Sequence, residues 1–366
     1  MKIILILANN DMGLYKFRKE LLLSLTKKYK VIVLIPGGPY IADIEALGCE
    51  VQQIDLDRRG MNPINELKLF FQYQKTIKRI NPSCILLYTI KPNIYGGIAA
   101  RMNKIPCLAN ITGMGTALGT SGPTQKLLIQ MYKLAFKNIN TVFFQNKPNM
   151  DFFLDNKIIQ TNGTLIPGSG VNLTQFTQLP YPSDETAIKF VFISRIMKEK
   201  GIDEYLTAAE RIKAEYKNVE FHICGFLEDD YVDKLKTYES AGVINYHGLV
   251  PDISQFLKDM HCTIHPSYYP EGISNVLLES AASCRPIITT DQPGCKDVVK
   301  EDGFNGYIFE AKQTDQLVEK IRAFIQLSYS EKQQMGINGR KFVSEKFDRD
   351  IVVNRYLQTI EEIVHE

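Results

Sequence analysis

The stretch Tyr269-Pro270-Glu271-Gly272-Ile273-Ser274-Asn275-Val276-Leu277-Leu278-Glu279, continued by Ser280-Ala281-Ala282, starts as a loop and becomes a helix. Pro270 and Gly272 break regular structure, Ser274 is a favourable N-cap, and the residues from Asn275 onward are helix formers. Residues 262–265 before it and 286–290 after it read as short apolar strands. Strand, loop, helix and strand at this spacing form one turn of a parallel, doubly wound sheet. The loop has a chemical reading as well. Free N–H groups at a helix start, with the helix dipole behind them, favour a bound anion such as phosphate. Glu271 and Glu279 bracket that start and can hold sugar or ribose hydroxyls, as a nucleotide-sugar site requires.

Working outward, the same rhythm fills the chain. Residues 188–194, 219–224, 243–247 and 306–309 read as further strands of the second half. In the first half the strand-like runs are 2–8, 31–35, 51–54, 84–87, 107–110 and 141–144. Amphipathic helical patterns near 14–28, 40–47, 63–80, 93–103, 123–137 and 147–155 separate them. The polar, two-proline segment 177–184 is the expected linker. The sequence therefore predicts an α/β protein of two doubly wound domains, 1–176 and 186–346, followed by a helical tail 347–366. Such domains bind ligands at the carboxyl ends of their strands, in a cleft if the two face each other.

Composition narrows the function. At 366 residues, 45% apolar and 23% charged, the chain has the make-up of a soluble two-domain protein. No apolar run reaches 18 residues, and the short N-terminal run ends in Asn9-Asn10-Asp11 without a cleavage pattern, so a buried first strand is expected rather than a leader. The seven scattered cysteines, never in Cys-x-x-Cys, suit free thiols in a reducing cytoplasm. The net charge of +2 hides an asymmetry. Residues 1–180 carry 21 Lys+Arg against 10 Asp+Glu (+11), and residues 181–366 carry 22 against 31 (−9). Basic amphipathic stretches at 14–30, 58–79 and 126–137 point the first half at an anionic membrane surface. Nucleic acid is not expected, because no arginine-rich or aromatic-interleaved basic motif occurs.

Cations stand at other predicted strand ends. Arg195 and Lys200 lie five apart across a strand-to-helix turn, so a planar fork and a point charge can meet one diphosphate. Lys91 follows the strand at 84–87 and could neutralise a phosphate or be solvated. Gly13 sits in a loop after the first strand, and Gly113-Met114-Gly115 after 107–110; neither has dinucleotide-binding spacing. Asp55-Leu56-Asp57 and Asp348-Arg349-Asp350 read as chance rather than metal sites, and no zinc spacing, phosphate-binding loop or nucleophile elbow occurs.

Taken together, Arg195 with Lys200-Gly201, the Glu271–Glu279 stretch and Pro293-Gly294 resemble the retaining, GT-B-fold glycosyltransferases of family 4. Lys91-Pro92-Asn93-Ile94-Tyr95-Gly96, Asn110-Ile111-Thr112-Gly113-Met114-Gly115 and Pro167-Gly168-Ser169-Gly170-Val171-Asn172 resemble its capsular-polysaccharide branch and the N-acetylhexosaminyltransferases acting on undecaprenyl-diphosphate-linked sugars. The resemblance implies that Arg195 and Lys200 grip the diphosphate and that Glu271 contacts the donor sugar. It implies that the amides of Gly272, Ile273, Ser274 and Asn275 touch sugar and phosphate, that Glu279 holds the ribose, and that Val250 lies against the base. Gly13 would let its loop approach the phosphates, and the tail would cross back to the first domain. Where many members carry a first-domain histidine, this chain has Thr112-Gly113, which join Lys91 as candidates near sugar or acceptor.

The implied donor is a UDP-sugar, the acceptor a lipid-linked saccharide, and no metal or other cofactor is called for. The implied place is the cytoplasmic face of the membrane. A nucleotide-sugar 2-epimerase of the same architecture, or a non-catalytic sugar-binding scaffold, are the rival readings. The first would release epimerised sugar from donor alone, and the second would bind donor without turnover.

Overall fold

The computed structural model describes the chain apart from Arg58, Arg59, Met61, Thr120, Asp184, Thr186, Glu366 and the Thr116 side chain. The arginine pair opening the basic stretch 58–79, and Asp184 at the end of the expected linker, thus lie outside the described residues. The chain forms two units, Met1–Ser169 with Arg349–Glu366, and Gly170–Asp348.

Among the described residues the first unit holds a seven-stranded parallel sheet. Its strands are β1 (Ile3–Leu7), β2 (Lys30–Ile35), β3 (Glu50–Gln53), β4 (Cys84–Tyr88), β5 (Cys107–Ile111), β6 (Thr141–Phe144) and β7 (Gly163–Leu165), in the order β3-β2-β1-β4-β5-β6-β7. Strands covered on both faces read as continuous apolar runs, and Ile4, Leu5, Ile6 and Leu7 of β1 are fully buried. Leu5, Leu7, Ile85 and Leu87 meet Leu69, Tyr73 and Ile77 of the Pro63–Ile80 helix and Ile129, Tyr132 and Phe136 of the Pro123–Phe136 helix. Ile4, Ile6, Val31 and Val33 meet the Asp11–Thr26 helix on the opposite face.

The last helix, Arg349–His365, completes that second face with Val352, Val353, Tyr356, Ile360 and Val364. Burial of each of its larger apolar side chains contributes about 1.5–3 kcal/mol. Arg349 is bonded to Glu20 at 2.9 Å, and the Asn110 amide donates to the Tyr356 hydroxyl. The tail is therefore an integral part of the first unit.

The second unit has a six-stranded parallel sheet among the described residues: β8 (Ile188–Ile193), β9 (Val219–Cys224), β10 (Asn245–Tyr246), β11 (Cys262–His265), β12 (Ile287–Thr290) and β13 (Gly306–Phe309). Its order is β10-β9-β8-β11-β12-β13. Each sheet reverses its strand order once, between β1 and β4 in the first unit and between β8 and β11 in the second. Loops leaving the two strands at such a reversal diverge and open a crevice, where ligands bind in this class of sheet.

Three features differ from the sequence reading. β7 has the half-exposed sequence Gly-Thr-Leu, too short and too polar to show as a strand. The run at 243–247 contracts to two residues, β10, at a sheet edge. The chain enters the second unit at Gly170, ahead of the two-proline segment. There the Val171 amide donates to the Phe347 carbonyl at 2.8 Å, and Val171 and Phe176 pack with Leu277 and Leu278.

Candidate active site

In the second unit the β8–β11 reversal brings together two loops that are about 70 residues apart in sequence. After β8 comes Ser194-Arg195, then a single 3-10 turn, Lys198–Lys200, and the Ile202–Glu215 helix. After β11 comes Pro266 to Glu271, leading into the Asn275–Ala282 helix. Gly201 joins them. Its φ of +79° is left-handed, and a Cβ there would lie 2.2 Å from the Pro266 carbonyl oxygen, so only glycine lets the loops touch. The Tyr268 amide then donates to the Glu199 carbonyl at 2.9 Å.

This contact sets Lys200 on Glu271. The Lys200 ammonium is bonded to Glu271 Oε1, and Lys200 is only 7% exposed. The same oxygen accepts from Ser267 Oγ at 3.0 Å and lies 3.2 Å from His265 Nε2. Burial pushes the Glu271 carboxyl upward, but the charge of Lys200 and the His265 hydrogen bond outweigh it and hold the group well below the usual carboxylate range. A carboxylate only accepts, so His265 carries its proton on Nε2. Its Nδ1 is buried without a hydrogen-bond partner among the described residues.

Arg195 stands earlier in the same loop after β8. Its guanidinium lies 5.5 Å from the centre of the Tyr269 ring, and the Lys200 ammonium lies 5.0 Å from the same ring. One aromatic ring thus lies within cation–π reach of both side chains. Arg195 also meets Glu228 at 3.3 Å and is about one-third exposed at its side chain, leaving its fork accessible.

The helix start is braced from β12. The Thr289 hydroxyl donates to the His265 carbonyl at 2.9 Å, and the Thr290 hydroxyl to the Ser267 carbonyl at 2.5 Å. Gly294, at φ +82°, packs so closely that a Cβ would sit 1.9 Å from the Gly272 carbonyl oxygen. Its own carbonyl accepts the Ser274 amide at 2.9 Å.

This corrects two expectations. Ser274 stands at the N-cap position, but its side chain makes no capping bond; the hydroxyl instead lies 3.3 Å from His265 Nε2. Its amide serves Gly294, so it is already engaged within the row Gly272 to Asn275. Glu279 lies one helical turn beyond Asn275 and is half-buried. Val250 packs on Val191, Ile193, Cys224 and Leu257, the cluster that also receives Val276 beside the helix start.

In the first unit Gly13 follows β1 and Lys91 follows β4, the two strands at that unit's reversal. Both are engaged within the fold. The helix begins at Asp11 rather than at 14, and the Gly13 amide donates to the Asn10 side chain at 2.6 Å as an N-cap bond. Lys91 donates to the carbonyls of Asp57 at 2.6 Å and Gly60 at 2.8 Å and pairs with Glu66, tying down the loop after β3. Thr112, exposed, and Gly113, half-buried at φ +145°, follow β5 ahead of the short Gly115–Gly119 helix.

Sequence reasoning gave no role to His265, Ser267, Tyr269, Glu228 or Cys295. His265 ends a predicted strand, which was the available signal; the others depend on packing. His265, Glu271 and Cys295 each offer a ligand atom within 4.8 Å of the others. Burial raises the Cys295 thiol, and Lys200 already pairs with Glu271 through Oε1. The arrangement is suited to gripping an anion: two cations, a helix start, and a buried carboxylate able to accept hydroxyl protons.

Comparison with known proteins bears on the family and the fold. Residues 176–342 match the model of the glycosyl transferases group 1 family, and residues 3–146 match that of the glycosyl transferase 4-like family. The chain is 25% identical to the N,N'-diacetylbacillosaminyl-diphospho-undecaprenol alpha-1,3-N-acetylgalactosaminyltransferase of Campylobacter jejuni, over 98% of each chain. It is 26% identical to the capsular polysaccharide biosynthesis glycosyltransferase CapM of Staphylococcus aureus, over 83% of this chain and 85% of CapM. In fold it resembles a glycosyltransferase from Rickettsia africae (TM-score 0.82, 17% identity, covering 99% and 98% of the two chains). It equally resembles Anabaena HepE in complex with UDP-glucose (TM-score 0.82, 17% identity, 99% and 100%). The chain belongs to the group 1 glycosyltransferases, with a glycosyl transferase 4-like first unit, and is built on the GT-B fold.

Proposed function

We propose that the protein transfers a sugar, an N-acetylhexosamine or its deoxy form, from a UDP-sugar to a saccharide carried on undecaprenyl diphosphate, with retention and without a metal. The observation that carries this is the Arg195–Tyr269–Lys200 cation pair set against the buried Glu271 carboxylate at the second sheet's strand reversal. Relatives named for acceptors on diphospho-undecaprenol support the acceptor class, and fold relatives holding UDP or UDP-glucose support the donor class. The enzyme acts in surface-polysaccharide assembly, as a peripheral protein on the cytoplasmic face of the membrane. Among the described residues no helix is long and apolar enough to cross one.

In this reading the bond from the sugar's anomeric carbon to the β-phosphate oxygen breaks, and negative charge grows on the departing diphosphate. Arg195 and Lys200, fixed beforehand by Tyr269 and Glu271, stabilise that charge. The acceptor hydroxyl attacks the same face, and its proton passes to the departing phosphate oxygen. Glu271 orients the sugar through its hydroxyls, and Glu279 accepts from the ribose. The test is a screen of UDP-N-acetylhexosamines against undecaprenyl-diphosphate-linked acceptors, with and without a chelator, the product anomer read by NMR. Retained configuration and a chelator-insensitive rate are expected. An inverted anomer, or free epimerised sugar formed from donor alone, would sink the proposal.

A further inference from the structure

The layer of helices on one face of the first sheet leaves large apolar side chains in solvent. On the Pro63–Ile80 helix Leu69, Tyr73 and Ile77 are buried. Ile64, Leu67 and Phe71, at i, i+3 and i+7, lie on the opposite side, with Ile64 65% and Phe71 57% exposed. At 100° per residue Lys68, Lys75 and Lys78 fall on that same outer side, and all three are exposed. The Pro123–Phe136 helix repeats the arrangement: Ile129, Tyr132 and Phe136 face inward, while Leu127 and Leu134 are exposed with Lys126 and, just past the helix end, Lys137. Both helices pack on the Pro92–Gly96 and Gly97–Met102 segments, which end at the exposed Met102.

The sequence here is unusually one-sided in charge. From residue 67 to residue 150 there is no Asp or Glu, against 11 Lys and Arg. We infer that the outer face of the Pro63–Ile80 and Pro123–Phe136 helices docks on an anionic phospholipid bilayer, with Ile64, Leu67, Phe71, Leu127 and Leu134 entering the headgroup boundary and the flanking lysines meeting lipid phosphates. Apolar residues ringed by lysines suit that boundary, where buried area and charge both add to binding. Nucleic acid offers no apolar phase for Phe71 and Leu127. A second copy meeting this face through two-fold symmetry would set lysines against lysines. The inference deepens the proposed function by naming the surface through which a lipid-borne acceptor is reached, but it does not depend on any transfer reaction.

The test is sedimentation of the full chain with vesicles of phosphatidylcholine alone, or with about one-third phosphatidylglycerol. Each lysine at the surface is worth roughly fivefold in partitioning. Lys68→Gln/Lys75→Gln/Lys78→Gln should therefore lower binding to anionic vesicles on the order of 100-fold, and Ile64→Ser/Leu67→Ser/Phe71→Ser about tenfold or more. A control with Lys217→Gln/Lys236→Gln/Lys346→Gln, three exposed lysines of the second unit, should bind as wild type. Raising salt to about 0.5 M should release the protein, because screening shortens the reach of the lysines. All changes lie on exposed side chains, and unchanged thermal melting confirms folding. Equal binding to both vesicle types, or equal losses in the control, would overturn the inference. So would a dimer in solution that Phe71→Ser converts to a monomer, since the face would then be a contact between copies. None of these readouts involves turnover, so failure of the surface and failure of the proposed reaction are separately visible.

Discussion

Replacing Lys200 by Met tests the centre of the site through two independent quantities. Lys200 and Glu271 are both largely buried at their side chains, 9% and 14% exposed, so little solvent screening applies. Removing one member of such a pair leaves an uncompensated charge and costs about 3–5 kcal/mol. For a unit of this size that lowers the melting temperature by roughly 6–20 °C. The sign with pH is distinctive. In the wild type Glu271 is held below its ordinary range, so its contribution is full above the unfolded carboxylate pKa and is lost only as pH falls through the lower folded value. In Lys200→Met the ammonium is gone and burial, the largest influence on Glu271, is opposed by His265 rather than by both partners, so the carboxyl rises above its unfolded value. The variant should then lose stability as pH rises from about 4.5 towards 7.5, the direction opposite to the wild type. Differential scanning calorimetry across that range, with Glu271→Gln and the double variant completing a cycle, reads the pair directly. The double variant should recover most of the loss. Turnover at saturating donor should fall on the order of 10²–10³. A Lys200→Met protein that melts like wild type from pH 5 to 8, or that keeps turnover within tenfold, would refute the reasoning.

Arg195→Ala should cost a similar 10²–10³ in turnover while leaving the melting temperature within about 1 °C, because its side chain is one-third exposed; Arg195→Lys should restore little, since the planar fork is lost. Gly201→Ala forces a Cβ onto the Pro266 carbonyl at a left-handed φ and should destabilise the second unit by about 2–3 kcal/mol, read by urea denaturation, with turnover falling as Lys200 shifts. His222 and His247, with ring nitrogens 3.0 Å apart, are both held below the ordinary imidazole value, by burial first and for His222 also by the charge of His247. The unfolded chain therefore takes up protons near pH 6.5 while the folded rings do not, so stability should decline as pH falls below that value, and His222→Gln should flatten the slope in pH-dependent melts.

Much of the fold was legible because a strand buried on both faces must be apolar throughout, whatever it packs against. The runs at 141–144, 219–224 and 262–265 appear in the structure with the bounds read from sequence. The site was partly legible for a related reason: glycines, prolines and charged residues at strand ends stand out against such runs, which marked Arg195, Lys200 and the Glu271 loop. What stayed hidden was the function of polar side chains whose partners are distant in sequence. Ser274 fits a capping position but is turned to His265, and Lys91, open to solvent or phosphate by its position, is spent on two carbonyls and Glu66.

The sequence by itself determined two doubly wound units, the loops that end their strands, and a basic first half, because these follow from local periodicity and composition. Only the tertiary structure decided that β8 and β11 are neighbours, that Gly201 fits against Pro266, and that Lys200, His265 and Ser267 converge on one oxygen of Glu271. It also decided which lysines share a face with exposed Phe71 and Leu127. Strand order and side-chain burial are properties of the assembled core, and no local pattern encodes which loop will meet which.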